Sequence, residues 1–307
     1  MKILITGSSG MLGTEFCGVF KGGHEVIGMD VREAGEGCPA PDVFRKVDIT
    51  DPGQVRKVFD EERPELVIHA AAWTDVDGCE KDPERADLIN VAGTRNIAVS
   101  ARAAGNIPVV FISTDFVFDG EKSSPYTERD KGHPLSVYGK SKWDAEKALE
   151  ETLEKYLIVR TSWLYGRNGK NFVDTVVAKG IAEGHLRVVS DQVGSPTYAK
   201  DLARAIRDLI NIKKDPRRDI YHICNSGRCS WQEFAVRIMS LVKDCAHVTV
   251  EPVTSAELSR PAPRPKFSVL DNSRFSEITG SAMRPWDEAL EEYLRERYGD
   301  GRRKKNR

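Results

Sequence analysis

The chain has 307 residues, 40% hydrophobic and 30% charged, and a net charge of −1. That balance suits a globular protein of one large domain or two closely packed ones, and it gives no global field toward nucleic acid or an anionic membrane. No apolar run reaches about 18 residues, and the amino end, Met1–Gly10, meets glycine too early for a secretory leader, so a cytoplasmic protein without a membrane span is expected.

In chain order, "KILIT" (2–6) is an apolar strand, and "MLGTEFCGVF" (11–20) carries Leu12, Phe16, Val19 and Phe20 at helical spacing. "HEVIGMD" (24–30) and "FRKVDIT" (44–50) read as strands, the latter ending at Asp48-Ile49. A helix over 51–62 follows, with Asp51 as N-cap ahead of Pro52. "ELVIHAAA" (65–72) is a strand running into small residues. One long helix is predicted from Asp82 or Asp87 to Ala104, then the strand "IPVVFIST" (107–114), a helix over 135–156 and the strand "LIVRTSWLYG" (157–166). The second half is mixed, with helical 171–184, 200–210 and 230–242 between short strands, and a proline-rich stretch, Arg260–Asp271, read as extended chain crossing the surface.

Apolar strands separated by helices predict an α/β, Rossmann-like doubly wound parallel sheet covered on both faces, with a smaller mixed α/β region after it. The expected division is a nucleotide-binding domain over 1–165, with later segments interleaved, a substrate-binding region over 166–298, and a basic disordered tail over 299–307. The six cysteines show no C-x-x-C pair and the six histidines are dispersed, which predicts free thiols and no metal site.

"TGSSGMLG" puts Gly7, Gly10 and Gly13 between the first strand and first helix, where glycines let the backbone approach a pyrophosphate and the helix N-terminus favours its charge. The spacing is G-x-x-G-x-x-G, and the same glycines also suit a plain tight turn. Asp30 closes the second strand, where a carboxylate can accept both ribose hydroxyls and favours NADH. Arg32 would offset a 2′-phosphate, so NADPH stays open. Asp48 and Ile49 could hold the adenine, and Ala70, Ala71 and Ala72 could let a ribose lie against the backbone; a strand-end cap and close helix–sheet packing are the alternatives. Tyr138 and Lys142 form Y-x-x-x-K at the start of a helix, stacked on one face, where a cation beside the phenol lowers its pKa and makes it a usable proton donor. Lys140, at i+2, faces away.

Together these residues resemble the extended short-chain dehydrogenase/reductases. "STDFVFDG" (113–120), "YGKSKWDAE" (138–146), "RTSWLYG" (160–166), "DQVGSPTYAKDLA" (191–203) and "RP" plus "SVLD" within 260–271 are similar to the dTDP-4-dehydrorhamnose reductase family, over about residues 1 to 296. The resemblance implies reduction of the 4-keto group of a nucleoside-diphosphate deoxysugar by NADH or NADPH. It makes Tyr138 the proton donor, Lys142 the partner of the nicotinamide ribose, Thr114 the catalytic hydroxyl, and Asp115 and Trp163 sugar contacts. It assigns dinucleotide contacts to Gly10, Met11, Leu12, Asp30, Asp48, Ile49 and Ala70 to Ala72, and leaves Ser113 for a backbone or ribose contact. Glu15 could join a homodimer, as some relatives pair through acidic residues and a metal ion. The family usually has tyrosine where this chain has Phe116, which puts the sugar's identity in doubt. Phe116 also stands where related dehydratases carry glutamate, and it cannot take a proton from carbon. A 4-epimerase using the same Tyr and Lys is one alternative. The other is a non-catalytic dinucleotide-binding subunit, like the regulatory subunit of methionine adenosyltransferase.

Overall fold

In Lys2–Thr6 (β1) the residues from Ile3 to Thr6 are buried because the strand lies inside a seven-stranded sheet, paired on both edges. The computed structural model describes residues 1–213 and 216–299, so all but Gly299 of the basic tail expected at 299–307 lies outside the described residues. The other sheet strands are Glu25–Asp30 (β2), Val43–Lys46 (β3), Leu66–His69 (β4), Val109–Thr114 (β5), Tyr156–Thr161 (β6) and Asp219–His222 (β7). All pairings are parallel, in the order β7-β6-β5-β4-β1-β2-β3. Leu4 pairs with Ile27 on one side and Val67 on the other. The chain reverses its direction of travel across the sheet between β1 and β4, and in such sheets the crevice beyond the strand ends at that point takes the ligand.

Helices Met11–Phe20 (α1), Pro52–Glu62 (α2), Gly93–Ala103 (α3), Val137–Thr152 (α4) and Ala199–Ile212 (α5) cover the sheet. One face buries Ile3, Ile5, Phe16 and Phe20 against α5 residues such as Leu202 and Ile206. The other buries Leu4, Val67 and Phe111 against Val55, Phe59, Ile97 and Leu149. Each fully buried side chain of this size stabilises the fold by about 1.5–3 kcal/mol. The seventh strand and α5 come from beyond residue 165, so the amino-terminal sheet is completed by later chain. A separate cluster of Val173, Leu186, Phe234 and Tyr293 forms the core of the carboxyl-terminal part.

Local signals place several elements where the sequence puts them. Asp51 Oδ1 accepts the N–H groups of Gly53 and Gln54 at the start of α2. Ser136 caps α4 through Gly139 N–H at 3.1 Å, and Ser230 with Glu233 closes a capping box on helix Trp231–Leu241. Three expectations are corrected. The third strand stops at Lys46, short of Asp48-Ile49. The helix expected from Asp82 or Asp87 onward is broken: Pro83–Ala86 is one turn capped by Asp82, Asp87–Ala92 widens into a π-helical turn, and only then does α3 begin. The proline-rich stretch is not a surface strap throughout. Ala262, Pro265 and Ser268–Leu270 are buried, and bridges join Phe267 to Val193 and Leu270 to Tyr126.

Candidate active site

The glycine loop sits against the backbone that follows β4. Gly7 has φ +66, and a Cβ on it would stand 2.8 Å from the Ala71 backbone. A Cβ on Gly13 would stand 2.0 Å from the Gly7 carbonyl oxygen, so α1 can lie this close to the loop only without a side chain there. At Gly10 the only near atom is that same oxygen, at 3.3 Å. A cavity of about 420 Å³ opens beside the loop, lined among others by Asp30, Arg32, Asp48, Ile49, Ala71 and Ala72. Asp30 accepts Ser9 N–H at 3.1 Å and Arg32 N–H at 3.3 Å, and Ser9 Oγ donates to the Arg32 carbonyl. Asp48 accepts Thr50 N–H at 2.9 Å, a turn cap at the cavity's rim. The cradle of backbone that a Cβ would fill, the acid at the end of β2 and the run of alanines suit a dinucleotide, and Gly7, Gly10, Met11, Leu12, Gly13, Asp30 and Arg32 are the residues that would hold it.

A second cavity, of about 580 Å³, runs on from Gly7, Met11 and Ala70 past Thr114, Tyr138 and Lys142 to Trp163. It brings together the residues that the sequence left tens of positions apart. Gly139 makes this possible: a Cβ there would meet the Phe116 carbonyl at 2.2 Å, so α4 begins directly against the end of β5. Tyr138 is buried, edge-on to Phe116 with ring centroids 5.7 Å apart. Burial pushes its phenol above the ordinary value, and only the hydrogen bond with Thr114 pulls it back. Lys142 is buried with Nζ 4.0 Å from the centre of the Phe111 ring. Burial lowers its ammonium to about 7, with Glu146 acting against the shift. The expected lowering of the phenol is not seen: desolvation is the largest influence on Tyr138, and Lys142 is not among the groups that shift it. Lys140 points away and pairs with Asp144 at 2.6 Å.

Thr114 Oγ1 accepts Phe116 N–H at 3.2 Å and lies 3.1 Å from Asp115 Oδ1. Ser113, expected at the backbone or ribose, instead donates to Glu146 Oε1 at 2.5 Å, because side chains alternate along β5 and Glu146 lies one turn beyond Lys142. Glu146 also takes two bonds from Arg160, at 3.0 and 2.6 Å, in an ion pair almost wholly out of solvent. Trp163 has φ +47, a strained backbone for a bulky residue, held by Trp231 stacked on it at 3.5 Å. Gly194 yields room for it, since a Cβ there would meet the indole at 2.5 Å.

Several contributors were not visible in the sequence. His69 joins Thr6 Oγ1 at 2.6 Å to Thr94 Oγ1 at 3.0 Å, and Ala71 N–H donates to Thr6 Oγ1, so the imidazole braces the alanine run. Burial, then Lys142, lower it to about 3, which keeps it neutral. Asn90, on the π-helical turn, bonds Trp73 N–H and carbonyl and Ser141 Oγ. Trp231, Phe172, Lys170, Arg260 and Arg264 complete the far wall of the cavity, and Arg264 pairs with Asp77 at 2.9 Å. Among the described residues no group of His, Cys, Asp and Glu is arranged to hold a metal ion, and no helix is long and apolar enough to cross a membrane.

A glycine loop at the reversal point of a parallel sheet, opening onto a buried Tyr-x-x-x-Lys face, defines a nucleotide-dependent oxidoreductase fold of the short-chain dehydrogenase/reductase class. Comparison with known proteins narrows it. Residues 1–298 match the RmlD substrate binding domain, and the chain belongs to that family. It is 41% identical over 297 residues to the spore coat polysaccharide biosynthesis protein SpsK of Bacillus subtilis, covering 96% of this chain and 98% of that one. The crystal structure of a dTDP-4-dehydrorhamnose reductase from Clostridium acetobutylicum superposes with a TM-score of 0.87 at 43% identity, over 97% of this chain and 100% of that one. A dTDP-4-dehydrorhamnose reductase from Bacillus anthracis in complex with NADP does so at 0.85 and 37%, over 96% and 99%.

Proposed function

We propose that the chain is an NAD(P)H-dependent reductase of the 4-keto group of a nucleoside-diphosphate deoxysugar, with dTDP-4-dehydro-L-rhamnose as substrate and dTDP-L-rhamnose as product. The observation that carries this reading is the placement of Thr114, Tyr138 and Lys142 on one wall of a cavity continuous with the dinucleotide cradle. The reductases it resembles over nearly its whole length support the same chemistry. A bound reduced nicotinamide supplies a hydride.

In this reading Tyr138 gives its proton to the oxygen that develops negative charge, and its raised proton affinity is overcome as that alkoxide, a stronger base, forms beside it. Thr114 hydrogen-bonds the same oxygen, fixed in place by Phe116 N–H. Lys142 holds the nicotinamide ribose, and the phenolate left behind would favour its charged form. Trp163, locked by Trp231, gives the sugar a flat apolar face, and Arg260, Arg264 and Lys170 surround the space open to a diphosphate. Phe116 supplies no acid or base at the position where a dehydratase needs one, so the chemistry stops at reduction.

The test is NADH and NADPH oxidation across a panel of 4-keto nucleotide sugars with the product identified. Oxidation matched by a 4-hydroxy product is expected. No oxidation with any of them, together with recovery of a stoichiometric synthetase partner, would replace the enzyme reading by the regulatory one.

A further inference from the structure

Tyr138 must regain a proton after every transfer, and the group behind it is built to return one. The Thr114 oxygen has two lone pairs and one hydrogen. One lone pair takes Phe116 N–H at 3.2 Å, Asp115 Oδ1 lies 3.1 Å away, and the Tyr138 phenol lines the same cavity wall close enough for Thr114 to lower its pKa. Asp115 is 1% exposed, and its Oδ2 has no hydrogen-bond partner among the described residues. Burial of the ionised form is the largest influence on Asp115 and is only partly offset by the Ser268 and Thr114 hydroxyls and nearby backbone N–H groups, so the neutral acid is favoured. We propose that Asp115 is the proton reserve of the site, recharging Tyr138 through the Thr114 hydroxyl; the inference rests on the keto-reductase reading above.

The balance is simple. The phenol O–H bond of Tyr138 breaks as the new O–H bond of the product forms. The Thr114 proton moves to the phenolate, and the Asp115 proton moves to Thr114 Oγ1. Asp115 is left as a carboxylate, which takes a proton from water once product leaves the cavity it lines. Burial pushes the Asp115 carboxyl up to about 7, with the Ser268 and Thr114 hydroxyls opposing. The titratable groups facing it are Tyr138 from α4 and Cys224 from the segment after β7. Burial raises both, the thiol to about 12, so both stay neutral while Asp115 titrates. Asp115 therefore acts through Thr114, in addition to any contact it makes with the sugar.

The experiment compares wild type with Asp115→Asn, which keeps the shape and neutrality of the buried acid but releases no proton. Infrared difference spectra of the two, taken without substrate, should show a protonated carboxyl band near neutral pH that bleaches as pH rises. With enzyme in excess, which isolates the first turnover, the variant should lose far less of its rate than with substrate in excess, where repeated turnover should slow on the order of 10²-fold, the lower end of what a positioned proton donor contributes. A missing carboxyl band overturns the proposal. So does equal loss of the first and later turnovers, or a rise in KM alone, either of which makes Asp115 a sugar contact. A wild type that reduces no nucleotide-linked ketone overturns the underlying reading instead, and the substrate-free band tells the two failures apart.

Discussion

The glycine loop permits a prediction in which stability and cofactor binding separate. In Gly13→Ala the new Cβ would stand 2.0 Å from the Gly7 carbonyl oxygen and 2.7 Å from Ser8 Cα, both backbone atoms that no rotamer change can move. Ordinary contact begins at 3.4 Å, so α1 must retreat from the loop by about 1 Å or more. Overpacking of this kind costs about 1–3 kcal/mol. The same shift misaligns the helix N-terminus with the cradle, and misplacements near 1 Å can cost about 10²-fold. In Gly10→Ala the one near atom is the same backbone oxygen at 3.3 Å, just inside ordinary contact, so the strain on the fold is far smaller than at Gly13 and the approach of a bound pyrophosphate suffers most. Urea melts and NADPH titrations followed by nucleotide fluorescence should therefore show Gly13→Ala losing both stability and affinity, and Gly10→Ala losing mainly affinity. Equal stability of Gly13→Ala and wild type would refute the reasoning, because it would mean that the helix is not held at the distance described.

Tyr138→Phe keeps the edge-on contact with Phe116 and removes only the hydroxyl, so kcat should fall by about 10²–10⁴-fold with NADPH affinity nearly unchanged; wild-type turnover would show that the proton comes from elsewhere. Asp30→Ala should weaken NADH more than NADPH in the same fluorescence titration, and an equal loss of both would remove the ribose assignment. Glu146→Gln strands the Arg160 guanidinium without its buried partner, which should cost about 3–5 kcal/mol in denaturant unfolding; a change below about 1 kcal/mol would mean that water reaches the pair. Burial lowers Lys142 to about 7, while the unfolded chain keeps that proton up to the ordinary lysine value. Between those limits the unfolded state binds more protons, so the stability of wild type relative to Lys142→Met should rise with pH; a flat difference would show that Lys142 stays charged.

Much of this architecture was legible because it follows from short-range pattern. Apolar strands such as Lys2–Thr6 and Leu66–His69 announce a sheet covered on both faces, and Asp51 and Ser136 mark helix starts by caps that need only their own next few residues. The π-helical turn at Asp87–Ala92 has no such signature. Its consequence, Asn90 tying the Trp73 backbone to Ser141, depends on a contact between residues 51 positions apart. The proline-rich stretch misled for a related reason: prolines suit extended chain anywhere, and whether Ser268–Leu270 are exposed is decided by what packs over them.

The same distinction explains why residues singled out from the sequence share one cavity while one of their expected properties differs. Spacing correctly puts Tyr138 and Lys142 on one face of α4, and a nearby cation does favour a phenolate when both groups are solvated. Spacing carries no information about burial. Here Gly139 lets α4 start against the Phe116 backbone, so the phenol and the ammonium are both withdrawn from water, and each is pushed toward its neutral form. A tyrosine so placed is a poor phenolate and a well-held acid, which on the proposed reading would release its proton only to the strong base created by reduction itself. In the proposed mechanism, the burial that opposes the simple electrostatic expectation would restrict proton transfer to the moment when hydride transfer makes it necessary, and Asp115 behind Thr114 would be where the next proton is kept.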